Sequence, residues 1–189
     1  MNRKNVLQYI LSLIIFFLLG IALASCLRML DMKDIEPLSG GQTLNYADFG
    51  FSMRVPESAI VRDHTMDNLD AGGDALYAGS ITTQEDGVLY LFCYENTARD
   101  SLENHREQDV VSHYMSAGAN DVRIRDFGGR PFVCYRANVL GTDGEQLWDT
   151  YETWNERIQI SFETRMASDD VLPILATLYF SASTDSEIH

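Results

Sequence analysis

Basic residues are scarce in this chain. It has 14 lysines and arginines against 28 aspartates and glutamates, which gives a formal net charge of −14. Such a surface repels phosphate backbones and therefore excludes nucleic-acid binding as a function. It also repels anionic lipid head groups, so a face of the folded domain cannot provide membrane attachment. The acidic balance favours solubility or a cationic partner.

The sequence also lacks the motifs of common enzymes and metal sites. There is no Gly-x-Ser-x-Gly, His-Glu-x-x-His, P-loop or Gly-x-Gly-x-x-Gly. Asp67, Asp70 and Asp74 lie near glycines, but their spacing does not match an EF-hand loop. His105 and His113 are two helical turns apart, whereas a helical metal clip needs positions i and i+4. We therefore expect no catalytic activity, no cofactor and no bound metal.

The longest apolar run is at the N-terminus. Arg3 and Lys4 precede an uncharged stretch from residue 5 to 27, with an apolar core at 10–24. A short cationic start followed by an apolar run is typical of an export signal. About 20 apolar residues would also suffice to cross a bilayer as a helix. The length of the run is therefore compatible with both a cleaved signal and a retained anchor.

The end of this run resembles the lipobox of bacterial lipoprotein signal peptides in the residues Leu23, Ala24, Ser25 and Cys26. The resemblance implies that the small residues fit the signal peptidase and that the Cys26 thiol receives a lipid and becomes the new N-terminus. The alternative is a single-pass transmembrane helix in which Cys26 is one more apolar residue. Both place the chain at the cell membrane with its bulk on the extracytoplasmic side.

Two cysteines remain beyond the leader, Cys93 and Cys134, each within a strand-like apolar run. An exported domain tolerates disulfides, so these two form a candidate pair. A bond requires Cα atoms within about 7 Å of each other, which two strand positions rarely satisfy. We favour two buried thiols that act as small hydrophobic residues.

The composition divides the chain into four parts. Residues 1–26 form the lipoprotein signal peptide or membrane anchor, and residues 27–43 form a flexible tether with Pro37 and paired glycines. Residues 44–183 suit a single globular domain, and residues 184–189 form a frayed tail.

Hydrophobic periodicity predicts an α+β domain with one antiparallel sheet and helices on its faces. Asp86-Gly87 between two apolar runs predicts a hairpin. A capping pattern near Thr97 predicts a helix that ends at Gly118, with His113 packed on its apolar stripe. A last helix begins at 168–170. The predicted strands are 45–57, 76–83, 88–95, 122–127, 132–140, 146–154 and 157–164.

The globular part resembles the PsbP-like fold family, named for an extrinsic photosystem II protein. The opening segment Phe49–Pro56 (FGFSMRVP), the turn at 128–131, the strand at 158–162 and the last amphipathic helix carry the resemblance. It implies an α/β sandwich that follows the anchor helix. No functional residue of that family can be matched here, so its role does not transfer.

Four arginines cluster within this acidic chain: Arg123, Arg125, Arg130 and Arg136. They form a candidate patch for an anion or an acidic partner. Ion pairing with neighbouring acids is the alternative, and it is the one we favour. A second feature is a set of aromatic residues that suit either a binding face or a sheet core, with the core as the default. They are Tyr90, Tyr94, Tyr135, Trp148, Tyr151 and Trp154.

These patterns together predict a membrane-anchored extracytoplasmic lipoprotein. Its domain would be a non-catalytic binding or complex-assisting module with an envelope protein as partner. The alternative is a single-pass membrane protein whose external domain is a hydrolase or another enzyme.

Overall fold

The computed structural model describes residues 35–83, 87–141 and 144–181. The signal or anchor segment, with the predicted lipidation at Cys26 and the peptidase motif Leu23–Ser25, lies outside these residues, as does the tail at 184–189. Within the described ranges no helix is long and apolar enough to span a membrane.

Ten strands are present in the described residues, and their bounds follow in chain order. They are β1 Gln42–Tyr46, β2 Phe51–Val55, β3 Ile60–Asp63, β4 Tyr77–Thr82, β5 Val88–Glu95, β6 Asn120–Phe127, β7 Arg130–Gly141, β8 Gly144–Trp154, β9 Ile158–Thr164 and β10 Tyr179–Phe180. The helices of this part of the chain are α1 Thr65–Asp70, α2 Glu107–Ser116 and α3 Ser168–Leu175, with single 3₁₀ turns at Ala47–Phe49 and Leu102–Asn104.

The strands form two sheets in which all observed pairs are antiparallel. The large sheet has the order β3-β4-β5-β9-β8-β7-β6, and the small one has the order β1-β2-β10. Two meanders, β3 to β5 and β6 to β9, are joined where β5 pairs with β9. The predicted α+β class is confirmed. The single predicted sheet is corrected to two, because β1 and β10 pair with the two edges of β2 and form a separate three-stranded sheet.

The main hydrophobic core lies on one face of the large sheet, beneath the small sheet and α3. Strand alternation sends Phe51 and Met53 of β2 and Leu91 and Phe162 of the large sheet into it, each with 2% exposure or less. Helix α3 contributes a buried stripe that includes Ile174 and Leu175. These are the apolar stripe and strand face that the periodicity predicted.

A smaller cluster lies on the opposite face of the large sheet. Leu102 and Val110 bury Val133 of β7, and Tyr114 packs against them from α2. Helix α2 begins at Glu107 and not near Thr97, because the Asn96 amide donates to Asp100 O (2.7 Å) and to Asn155 O (2.6 Å) and holds the intervening loop.

One local prediction on this side of the fold is wrong. The face of α2 that packs on the sheet carries Val110 and Tyr114, four residues apart, and His113 is exposed. Elsewhere, the segment that carries Asp67 and Asp70 forms α1 at 65–70. Its first N–H, from Thr65, donates to Asp63 Oδ1 at 2.8 Å.

The globular part begins at Ile35, earlier than the predicted boundary at residue 44. Ile35 packs against the core, and Leu38 N–H donates to Pro173 O at 3.0 Å. Gln42 opens β1, and its side-chain amide donates to Ala59 O at 2.7 Å. The second half of the predicted tether is therefore bound to the domain.

Cys93 and Cys134 are free, buried thiols, so the candidate disulfide is not formed. Strands β9 and β8 lie between β5 and β7. Three strand spacings separate the two cysteines by roughly 14 Å, about twice the Cα separation that a disulfide tolerates.

Candidate functional site

The second face of the large sheet is covered over only part of its width. Helix α2 packs on β6, and the 3₁₀ turn at 102–104 packs on β7. Towards β5 and β9 the side chains are aromatic or polar and reach solvent. We call Tyr90, Phe92, Tyr94, Trp148 and Glu163 the open face; all five are half-buried.

The alternation of β5 explains the aromatic part of the open face. Leu89, Leu91 and Cys93 point into the core, so the residues between them point to the other side. A near-continuous apolar run such as 88–95 is typical of a strand that is covered on both faces. The structure instead leaves Tyr90, Phe92 and Tyr94 partly accessible.

The rings of the open face contact one another. The Tyr90 ring lies 5.5 Å from that of Trp148 across the sheet, measured between centroids. Phe92 and Tyr94 follow along β5 with their centroids 6.4 Å apart and nearly parallel. These neighbours hold the rings in place, which lowers the entropy lost when a ligand binds.

Glu163 is the carboxylate of the open face. It is paired in register with Tyr90 of β5 and with Thr150 of β8. Among the described residues it makes no hydrogen bond or ion pair; Arg165, two positions on, donates to Gln146 Oε1 at 2.9 Å. Burial, and secondarily the nearby Glu152, raise the pKa of Glu163. Burial first, and then Glu163, raise the pKa of Tyr94 to about 12, so this phenol stays neutral at physiological pH.

Glu152 lies beside the open face. It is buried, with 8% exposure, and hydrogen bonds within the protein compensate its carboxylate. Its carboxylate accepts hydrogen bonds from Tyr114 of α2, from Tyr135 Oη at 2.6 Å, from Gln159 Nε2 at 2.9 Å and from Ser161 Oγ at 3.5 Å. The cluster ties α2 to β7, β8 and β9. Burial, and then the charge of Glu152, raise the pKa of both tyrosines, so they remain donors.

A pocket of about 440 Å³ adjoins the open face at the N-terminal end of α2. His105 Nε2 and Asp100 Oδ2 are 2.9 Å apart in it, and the His105 ring lies 6.0 Å from that of Trp154. Gln159 lines the pocket and is paired in register with Tyr94, so pocket and open face are continuous. The remaining lining residues are Asn96, Ala98, Asp109, Val110, His113 and Tyr114.

The arginines predicted as a patch are divided between two places. Arg123, Arg125 and Arg136 line a pocket of about 160 Å³ on the core side of β6 and β7. Arg136 pairs there with Asp149 at 3.0 Å and Asp121 at 3.6 Å. Arg130 lies apart, with its guanidinium 4.2 Å from the Phe180 ring centroid.

The predicted aromatic residues fall mainly on the second face of the large sheet. Tyr90, Tyr94, Tyr135, Trp148 and Trp154 lie there, while Tyr151 packs in the core on the opposite side. The sequence analysis missed Phe92, Glu152 and Glu163. Their position in the strand alternation could have assigned them to this face, but nothing local indicates that the described residues supply Glu163 with no hydrogen-bond donor.

Comparisons with known proteins show no family for this chain. No protein-family model matches it, and no curated protein matches it. A crystal structure at 1.50 Å resolution from Bacteroides thetaiotaomicron VPI-5482 is similar over 76% of this chain and 49% of that chain, with 11% identity and a TM-score of 0.43. The chain thus spans about half the length of that protein. In the part of the chain that the structure describes, no group of three or more His, Cys, Asp or Glu residues could hold a metal ion.

Proposed function

We propose that the chain is a membrane-anchored extracytoplasmic lipoprotein whose domain is a non-catalytic binding module for an envelope protein. The single observation that carries the binding role is the open face. Half-buried rings, and a carboxylate that has no hydrogen bond or ion pair among the described residues, lie on the part of the sheet that α2 and the 3₁₀ turn at 102–104 do not cover. Partly accessible, rigidly held aromatic residues are typical of recognition surfaces.

The lipobox-like ending Leu23–Cys26 supports the anchor, with Cys26 as the lipidated residue. The acidic composition supports the anchor indirectly, because a domain with this negative charge does not adhere to anionic membranes by itself. For the fold we propose the PsbP-like type. It is supported by an antiparallel sheet with helices on both faces and by β2, which lies within the segment Phe49–Pro56.

The pocket beside α2 bears on the enzyme alternative. The His105–Asp100 pair resembles the oriented base of a hydrolase. The residues that line this pocket, as far as the structure describes them, include no serine, threonine or cysteine that such a base would activate. This supports the binding role over hydrolysis.

Labelling of cells with a fatty-acid analogue tests the anchor. We expect the full chain to carry the label and to sediment with membranes, and Cys26→Ser to lose the label. Cys134→Ala is the matched control, because it removes a buried thiol and should leave the label intact. Membrane retention without label would favour the transmembrane helix, and unlabelled protein in the cytosol would overturn the proposal.

A further inference from the structure

The open face carries a half-buried carboxylate, that of Glu163. Glu163 is half-buried between Tyr90 and Thr150 and has no hydrogen bond or ion pair within the described ranges. By contrast, Glu152 nearby accepts four hydrogen bonds. A partly desolvated carboxylate that lacks donors is satisfied best by a ligand that supplies a charged donor.

The rings beside Glu163 favour the same kind of ligand. A guanidinium or ammonium group is attracted to the face of Tyr, Phe or Trp within about 6 Å of the ring centroid. Tyr90 of β5 and Trp148 of β8 lie on the two strands that flank β9, which carries Glu163, and Phe92 and Tyr94 continue the row along β5. Neutral ligands such as sugars would stack on the rings and donate hydroxyl hydrogen bonds to the carboxylate, but they would not neutralise its charge.

The spacing along the open face fits an extended chain. Side chains on the same side of an extended peptide recur about every 6.6 Å, and the Phe92 and Tyr94 centroids are 6.4 Å apart. The row then meets the pocket beside α2, where Asp100 lies beside His105 and Asp109 pairs with Arg106 at 2.8 Å. Cations at alternate positions of an extended segment would therefore meet the rings of the row and, at one position, Glu163.

We infer that the open face binds an extended basic segment of a partner protein, in which Lys or Arg alternates with small residues and one cation lies against Glu163 and over Tyr90. This inference rests on the proposed function and gives the binding module its ligand chemistry. The net charge of −14 assists it, because long-range attraction increases the association rate of a cationic partner.

Fluorescence anisotropy with a labelled Arg-Ser repeat peptide tests the inference on the full chain in neutral detergent micelles. We expect the peptide to bind, the affinity to fall with added salt, and a Glu-Ser repeat peptide not to bind. Glu163→Gln should weaken binding by about tenfold or more, and Tyr90→Leu by about fivefold.

The matched control is Glu57→Gln, which removes the same charge from an exposed site in the turn before β3. We expect it to change the affinity by less than about twofold. Equal losses in Glu163→Gln and Glu57→Gln would show non-specific attraction and overturn the inference.

Two further probes separate this inference from the proposed function. Binding of soluble phosphocholine or of a neutral oligosaccharide, without binding of the Arg-Ser peptide, would overturn the inference of a basic segment. The proposed role as a binding module would then stand. If the peptide binds as expected but Cys26 carries no lipid, the anchor fails and the inference stands. No binding of any probe would overturn both the inference and the binding role.

Discussion

Glu152 and Glu163 lie on the same face of the large sheet and differ in what surrounds their carboxylates. Glu152 accepts hydrogen bonds from two tyrosines, a glutamine and a serine. Glu163 has the aromatic side of β5 as its neighbour and feels the charge of Glu152. Burial without hydrogen-bond donors among the described residues makes the charged form of Glu163 unfavourable in the fold.

Replacement of Glu163 by glutamine should stabilise the fold at neutral pH. The pKa of Glu163 is raised in the folded state, which means that folding favours the protonated carboxyl. The stability that the protonated group provides is complete below the unfolded pKa, and it is lost as the pH rises through the folded pKa. We expect Glu163→Gln to have a higher free energy of unfolding than the wild type at pH 7. The difference should vanish below about pH 4.

Urea denaturation followed by tryptophan fluorescence across this pH range would measure the effect. Glu57→Gln serves as the control, since the exposed Glu57 carboxylate should give little difference at any pH. A Glu163→Gln protein less stable than the wild type at pH 7 would contradict this account. The same variant is expected to bind the basic peptide less well, so a loss of binding could not be ascribed to unfolding.

At the scale of elements, the β6–β7 turn lies close against the C-terminal end of α3. Gly128 and Gly129 both have positive φ, 64° and 80°. A Cβ on Gly128 would lie 2.1 Å from Ala176 O, whereas one on Gly129 would have nothing within 4 Å. The first glycine is therefore required by contact as well as by backbone conformation, and the second by conformation alone.

These two glycines form a matched pair for mutation. Gly129→Ala should lower the free energy of unfolding by about 1–2 kcal/mol, which is the cost of a left-handed backbone for an L-residue. Gly128→Ala should cost at least about 2 kcal/mol more, because the turn or α3 must move. Chemical denaturation of the two variants measures these losses of unfolding free energy. Equal losses would show that the turn does not pack closely against α3.

At the scale of the whole molecule, the strand order decides the chemistry of the cysteines. Cys93 and Cys134 are buried on the core face, with β9 and β8 between them. Burial raises the pKa of each thiol to about 12. Very little reactive thiolate is therefore present at physiological pH.

Alkylation of the native protein at pH 8 should accordingly leave both thiols unmodified. In urea both should react, with or without reductant, and mass spectrometry of the peptides would locate the added groups. Modification in urea that depends on reductant would reveal a disulfide and contradict the strand order. Rapid modification of the native protein would contradict the burial.

Much of the fold could be predicted from local patterns. Ile158, Ile160 and Phe162 alternate with polar residues, and β9 has this phase in the structure. The hairpin of β4 and β5 follows from the Asp86-Gly87 signal, and α3 from its apolar stripe. β1 and β10 escaped prediction because short strands with few buried side chains carry little periodicity.

The sequence by itself determined the acidic balance, the apolar leader and the face to which each strand residue points, because composition and a two-residue period are local properties of the chain. The tertiary structure alone decided that β5 pairs with β9, which places Glu163 beside Tyr90 and separates Cys93 from Cys134. Strand partners depend on packing and loop closure summed over the domain, and no local period contains that information.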